Sequence, residues 1–132
     1  MGLDLILLPL NGRGDLNDSK ISSFNRLRFG RDYRIFGQIA NKDGGDIRPD
    51  CDTKKTVRPH LLPPTVKLVR MDCGEDGIIE TRKDGHDVEL TYAFVEELKE
   101  LRLPEGTPLE NKAIMAYISA LPNDCPVLLY WE

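Results

Sequence analysis

The chain has 132 residues, 40% of them hydrophobic and 30% charged, and a formal charge of −4, which is ordinary globular composition at the length of one domain. No apolar run approaches the roughly 20 residues that a membrane span needs, and the acidic balance argues against bulk nucleic-acid binding. Three widely spaced cysteines, Cys51, Cys73 and Cys125, make neither a disulfide framework nor a Cys-x-x-Cys zinc clasp, and the start lacks the basic leader of a signal peptide, so a cytoplasmic protein with reduced thiols is expected.

The first element is Leu3-Asp4-Leu5-Ile6-Leu7-Leu8, and its counterpart at the other end is Pro126-Val127-Leu128-Leu129-Tyr130-Trp131. Runs this short and apolar suit strands covered on both faces, in the middle of a sheet. If both are buried, the two ends share one core and the chain is a complete domain. Residues 11–20, rich in Gly, Asn and Asp, read as a loop. From Ser22 to Phe29, the apolar Phe24, Leu27 and Phe29 alternate loosely with Arg26 and Arg28, which predicts a strand with its arginines outward. Asp32 is placed to cap a short helix carrying Ile35, Phe36 and Ile39 on one face, with a strand from Tyr33 to Ile39 as the alternative that Gly37 leaves open. Residues 41–64 resist a regular reading. Asn41-Lys42-Asp43-Gly44-Gly45-Asp46 and then Pro49, Pro59, Pro63 and Pro64 punctuate them, which predicts a mobile loop, least ordered between Asp43 and Thr56.

A hairpin follows. Val66, Leu68, Val69 and Met71 form one strand, Cys73-Gly74-Glu75-Asp76-Gly77 the turn, and Ile78 to Arg82 the return; a third strand from His86 to Thr91 would extend it into a meander. Phe94, Val95, Leu98 and Leu101 then recur at helical spacing up to Pro104. Thr107-Pro108-Leu109-Glu110 has the form of a capping hydroxyl, a proline at the first helical position and a glutamate able to reach back, so a second helix is expected to about Ala120. Together these predict a single α+β domain over residues 1–132. Its mixed sheet has the N- and C-terminal strands central, and two helices lie between residues 92 and 121.

Three stretches carry a resemblance. They are Met1-Gly2-Leu3-Asp4-Leu5 running into Leu7-Leu8-Pro9; Leu90-Thr91-Tyr92 leading to Glu97-Leu98; and Asn111-Lys112-Ala113-Ile114-Met115-Ala116-Tyr117 continuing through Leu121-Pro122-Asn123-Asp124 to Leu129-Tyr130-Trp131. The chain resembles a family of small uncharacterised bacteriophage and prophage proteins, which open with Met-Gly-x-Asp-Leu and a Leu-Pro and close with Asn-Arg-Ala-Ile-x-Ala-Tyr, a Leu-Pro and Leu-Tyr-Trp. Lys112, Met115 and Glu132 stand where the family has Arg, Trp and His, and residues 41–64 have no counterpart in it. The resemblance implies a phage or prophage origin and the host-cell cytoplasm. By analogy it implies an accessory protein that disables a host factor, as counter-defence proteins do, or sequesters a signalling nucleotide. It carries over no catalytic residue.

Chemistry-bearing groups are sparse. His60 and His86 with Asp50-Cys51-Asp52 or Asp72-Cys73 offer zinc-type ligands without the close pairing of a structural site. Cys51 or Cys73 beside either histidine would suit a small hydrolase. Asp15-x-Asn17-x-Ser19 fails as a calcium loop, with Lys20 at the glycine position and Arg26 at the glutamate position.

Anion binding is better supported. Residues 1–70 carry 13 basic against 8 acidic side chains, and residues 71–132 carry 5 against 14. Arg26, Arg28, Arg31 and Arg34 interleave with Phe24, Phe29 and Tyr33, and Lys54, Lys55 and Arg58 follow in the 41–64 stretch. Guanidinium forks bind phosphate and neighbouring rings stack a base; equally, these arginines could solvate an outer sheet face and pair with acids of the chain. The expected function is therefore non-catalytic binding of a host protein through Arg26, Arg28, Arg31, Arg34, Lys54, Lys55 and Arg58. A phosphorylated small molecule or nucleotide is the alternative and a Cys–His hydrolase the second. No cofactor, metal or membrane is called for, and oligomeric state is left open.

Overall fold

Leu5–Pro9 (β1) and Pro126–Trp131 (β8) lie side by side in the middle of a five-stranded sheet. The computed structural model describes residues 2–10, 16, 20–22, 26–48, 54–71 and 77–132. Between the two central strands come β2 (Lys20–Ser22), β3 (Leu27–Phe29), α1 (Tyr33–Phe36), β4 (His60–Leu61), β5 (Lys67–Met71), β6 (Ile78–Thr81), β7 (Thr91–Phe94), α2 (Val95–Leu98) and α3 (Leu109–Ser119). The large sheet has the order β3-β1-β8-β7-β4, and each of its pairings is antiparallel. Strand directions mix in the second sheet, β2-β5-β6, where β2 runs parallel to β5 and β6 antiparallel to it.

The apolar ends of the chain follow from this layering. Side chains alternate between faces along a strand. Leu5, Leu7, Val127, Leu129 and Trp131 join Ile35 and Phe36 of α1, Val95 and Leu98 of α2, and Met115 and Ile118 of α3 in one core. Ile6, Leu8, Leu128 and Tyr130 enter a second core with Ile21, Leu62, Val66, Leu68 and Leu90, under the small sheet. Helices therefore cover one face of the central strands and the small sheet covers the other. Each leucine so buried contributes about 1.5–3 kcal/mol, which is why neither strand can afford a polar residue on either face. The result is α+β. Among the described residues no helix is long and apolar enough to cross a membrane.

Several sequence expectations need correction. The strand expected over Ser22 to Phe29 is two strands in different sheets, β2 and β3. Within 41–64, where the sequence predicts no regular element, the described residues from Val57 onward hold some: Val57 is buried and bridges Ile39, β4 pairs with β7, and Leu62 is in the second core. Their apolar positions are too few and too spread by prolines to give a period. In place of a meander strand from His86 to Thr91, Asp84 to Val88 form a turn, Lys83 bridges Glu89, and the chain crosses to the other sheet at Thr91. The hairpin of β5 and β6 is present, with Gly77 at φ +64°; its expected turn residues Cys73 to Asp76 lie outside the described residues. The same holds for most of the 11–20 loop and for 49–53.

The helices differ in their ends. Asp32 caps α1 by accepting from the Arg34 backbone N–H at 3.0 Å. The helix expected to reach Pro104 stops after Leu98, because the chain beyond it turns to the buried Gln38, whose amide accepts from Arg102 N–H (2.9 Å) and donates to Arg102 C=O (2.8 Å). Thr107 does not cap α3. Its hydroxyl donates back to the Pro104 carbonyl at 2.6 Å, and Pro108 occupies the N-cap position with no side-chain cap.

Candidate functional site

Three of the arginines that the sequence singles out, Arg28, Arg31 and Arg34, are bonded within the chain. On β3, Arg28 Nη2 lies 3.2 Å from Asp4 Oδ2, and Arg31 reaches the same carboxylate with Nε and Nη2, both at 3.3 Å. Arg31, with Arg28 beside it, holds the Asp4 carboxyl below its ordinary range. Arg34 forks onto Asp32 at 3.0 and 2.9 Å and donates to the Glu105 carbonyl at 3.2 Å. Lys55 Nζ sits 2.6 Å from both the Gly37 carbonyl and Asp46 Oδ1. Arg26, Lys54 and Arg58 are exposed. Only Arg28 and Arg31 of the seven share a partner among the described residues.

The concavity lies elsewhere. A cleft of about 500 Å³ opens where the end of β8, the start of β1, the 41–48 loop and the 84–88 turn meet. Leu3, Ile47, Val88 and Trp131 give it apolar walls, and Asn41, Lys42, Asp43, Arg48, Asp84 and His86 supply polar groups. None of the seven expected residues lines it. Arg31 lies beside it, with its guanidinium across Gly2, a lining residue: a Cβ on Gly2 would fall 1.8 Å from Arg31 Cζ.

Local chemistry builds each wall. Asn41 folds the 41–46 turn around itself: its Oδ1 accepts from Asp43 and Gly45 N–H (2.8 and 3.0 Å), its Nδ2 donates to the Asp46 carbonyl (3.0 Å), and Gly44 takes φ +86°. Arg48 stretches over the Tyr33 ring, 4.7 Å from its centroid, and donates to the Tyr33 hydroxyl at 2.8 Å, which also accepts from Leu3 N–H at 3.3 Å. Lys42 Nζ stands 3.7 Å from Glu89.

In the opposite turn, Asp84 Oδ1 accepts from His86 and Val88 N–H at 2.8 and 3.1 Å, which lets Asp87 take φ +62°. Gly85 N–H donates to the Trp131 carbonyl at 2.8 Å and so fixes the turn to the end of β8. Burial pushes the Asp84 carboxyl up, against the two backbone donors that lower it.

The two histidines do not meet. His86 lines the cleft. His60 pairs with Tyr92 across β4–β7, packs with its ring tilted against Tyr92 and Phe94 at 5.2 and 5.6 Å, and places Nε2 2.9 Å from Glu97 Oε1. Among the described residues no three metal-ligating side chains converge. Cys51 and Cys73, the thiols of the hydrolase alternative, lie outside the described residues; Cys125 is buried, and burial raises its thiol. Sequence reasoning singled out neither the cations of this lining, Lys42 and Arg48, nor Asp84, Trp131 and Leu3. The signal for the turn was present in Asp84-Gly85, but nothing local marks a strand end as a cleft wall. No protein-family model, curated protein or solved structure matches the chain.

Proposed function

We propose that the chain is a phage-type accessory protein that works by non-catalytic binding, and that its ligand is a phosphorylated small molecule of nucleotide size held in the cleft. The observation that carries this is the cleft itself. Its volume of about 500 Å³ falls in the range of drug-sized ligand sites, and it combines apolar walls with a few polar groups. Leu3, Ile47, Val88 and Trp131 suit a planar ring, while the ammonium of Lys42 and the guanidinium of Arg48 suit a phosphate. None of the described lining residues is a serine, threonine or cysteine, which favours binding over nucleophilic hydrolysis. Sequestration of a host nucleotide is the role that the phage resemblance suggests for such a site.

Thermal unfolding with a panel of nucleotides and inorganic phosphate tests the proposal. A true ligand at 100 times its Kd adds about 2.7 kcal/mol to the native state and raises Tm accordingly. Lys42→Ala and Arg48→Ala should diminish the shift, and Arg26→Ala should leave it. A panel without any shift overturns the reading. A host protein as the bound factor predicts a different result: specific co-purification from lysate that charge reversal at Arg26 and Arg28 abolishes.

A further inference from the structure

Asp84 gives this cleft a direction of its own. The residue is 8% exposed and lines the cavity. A carboxylate offers about four lone-pair sites. Two are filled at Oδ1 by the His86 and Val88 N–H groups, and Oδ2 has no hydrogen-bond or ion-pair partner among the described residues. Of the basic groups in the same lining, Lys42 is directed toward Glu89 and Arg48 toward Tyr33, while His86 makes no side-chain hydrogen bond to Asp84 among the described residues, though its charge draws the Asp84 carboxyl down. Burial pushes the Asp84 carboxyl up, and a buried carboxylate oxygen without a donor carries a cost. A donor supplied by the ligand would remove it.

On the reading that the cleft holds a nucleotide-sized ligand, we infer that Asp84 Oδ2 is its specificity-determining acceptor, and that the cleft selects a ring edge with two adjacent N–H donors, which among nucleobases is the guanine edge. The free oxygen presents only lone pairs. An adenine edge sets a ring nitrogen lone pair beside its one amino donor, and a uracil edge flanks its N–H with two carbonyls, so either would direct an acceptor at the carboxylate. Guanine places N1–H and the 2-amino group side by side and keeps its carbonyl beyond them. Xanthine replaces that amino group with a carbonyl and should be rejected. Sites built around a hydrogen bond discriminate far more sharply than sites built on apolar shape.

The test is calorimetric titration of the full chain with GMP, AMP and XMP. Wild type should bind GMP tighter than AMP and XMP by about tenfold or more. In Asp84→Asn, the carboxamide oxygen can keep both backbone N–H groups, so the turn survives, while a donor replaces the free acceptor. Its preference should move from GMP to XMP by a similar factor. If wild type binds all three equally, or the variant keeps the GMP preference, the Asp84 assignment is overturned and the cleft reading stands. If wild type binds none, both fall. Should Asp84→Asn not fold, the wild-type ranking decides alone.

Discussion

At the β3 edge, Arg28 and Arg31 close on Asp4, and nearby Arg34 closes on Asp32. In the 41–48 loop, Lys42 and Arg48 also have partners, but beside them Leu3, Ile47 and Trp131 leave an apolar volume open. The difference teaches that clustered cations can be held by the chain's own acids without enclosing a cavity. Arg28 and Arg31 are about half to two-thirds exposed (65% and 49%). An anion arriving there would gain only Coulomb energy, screened within about 10 Å at ordinary salt, and would displace an acid already in place. The cleft adds what the edge lacks, burial of a ligand's apolar part, which is the larger and less salt-sensitive term.

The contrast is broken most directly at Trp131. This side chain is 6% exposed, meets Phe36 edge to face at 5.2 Å, and belongs both to the helix-side core and to the cleft. Trp131→Ala should cost about 3–5 kcal/mol in urea unfolding and remove ligand binding, whereas Arg28→Ala should stay within about 0.5 kcal/mol. Equal costs would mean that the edge is as structural as the cleft wall. Alanine at two glycines sharpens the point. A Cβ on Gly85 would meet backbone, the Trp131 carbonyl oxygen at 3.1 Å and Glu132 Cα at 3.2 Å, and should cost about 1–3 kcal/mol. The three atoms nearest a Cβ on Gly2 are all at the far end of Arg31, which can swing away, so Gly2→Ala should be much the milder of the two by the same measurement. Smaller again, Lys42→Ala and Arg48→Ala should each weaken the cleft's ligand about tenfold, about 1.4 kcal/mol, with Arg28→Ala leaving affinity unchanged by titration.

What was legible in the sequence follows the same division. β1 and β8 could be read as central because Leu5 to Leu8 and Val127 to Trp131 are apolar at every position, and only two covered faces require that. Asp32 as the cap of α1 was legible because capping is decided within three residues. The end of α2 was not, since it depends on Gln38, more than 60 residues away in sequence. Thr107 carried a sound local signal that a competing acceptor, the Pro104 carbonyl, overrode. The candidate site was little legible, since none of the seven expected residues lines the cleft. The 41–48 loop was marked by its Asn-Gly chemistry, but its apolar walls come from strand ends that read as core. The arginines were visible, and their acids were not, because Asp4 lies 24 and 27 residues from the two side chains it binds.

Acid titration gives the finest separation, because the two regions respond with opposite signs. Asp4 and Asp32 have native carboxyls held below 3.8, the first by Arg31 and the second by Arg34. Their stabilisation is complete above 3.8 and is lost as pH falls through the lower native values. Asp84 is displaced upward by burial. Between 3.8 and its native value the folded state binds more protons than the unfolded one, so stability rises as pH falls through that window. Urea unfolding from about pH 6 to pH 3 should therefore show a gain before the loss. Asp84→Asn should remove the gain and leave the loss. Asp4→Asn should soften the loss and leave the gain, with a change of about 0.5–1 kcal/mol at neutral pH, the size of an exposed ion pair. If Asp84→Asn instead altered the acid limb, Asp84 would be an ion-paired carboxylate like Asp4, and the distinction between an edge that has its counterions and a cleft that awaits a donor would be lost.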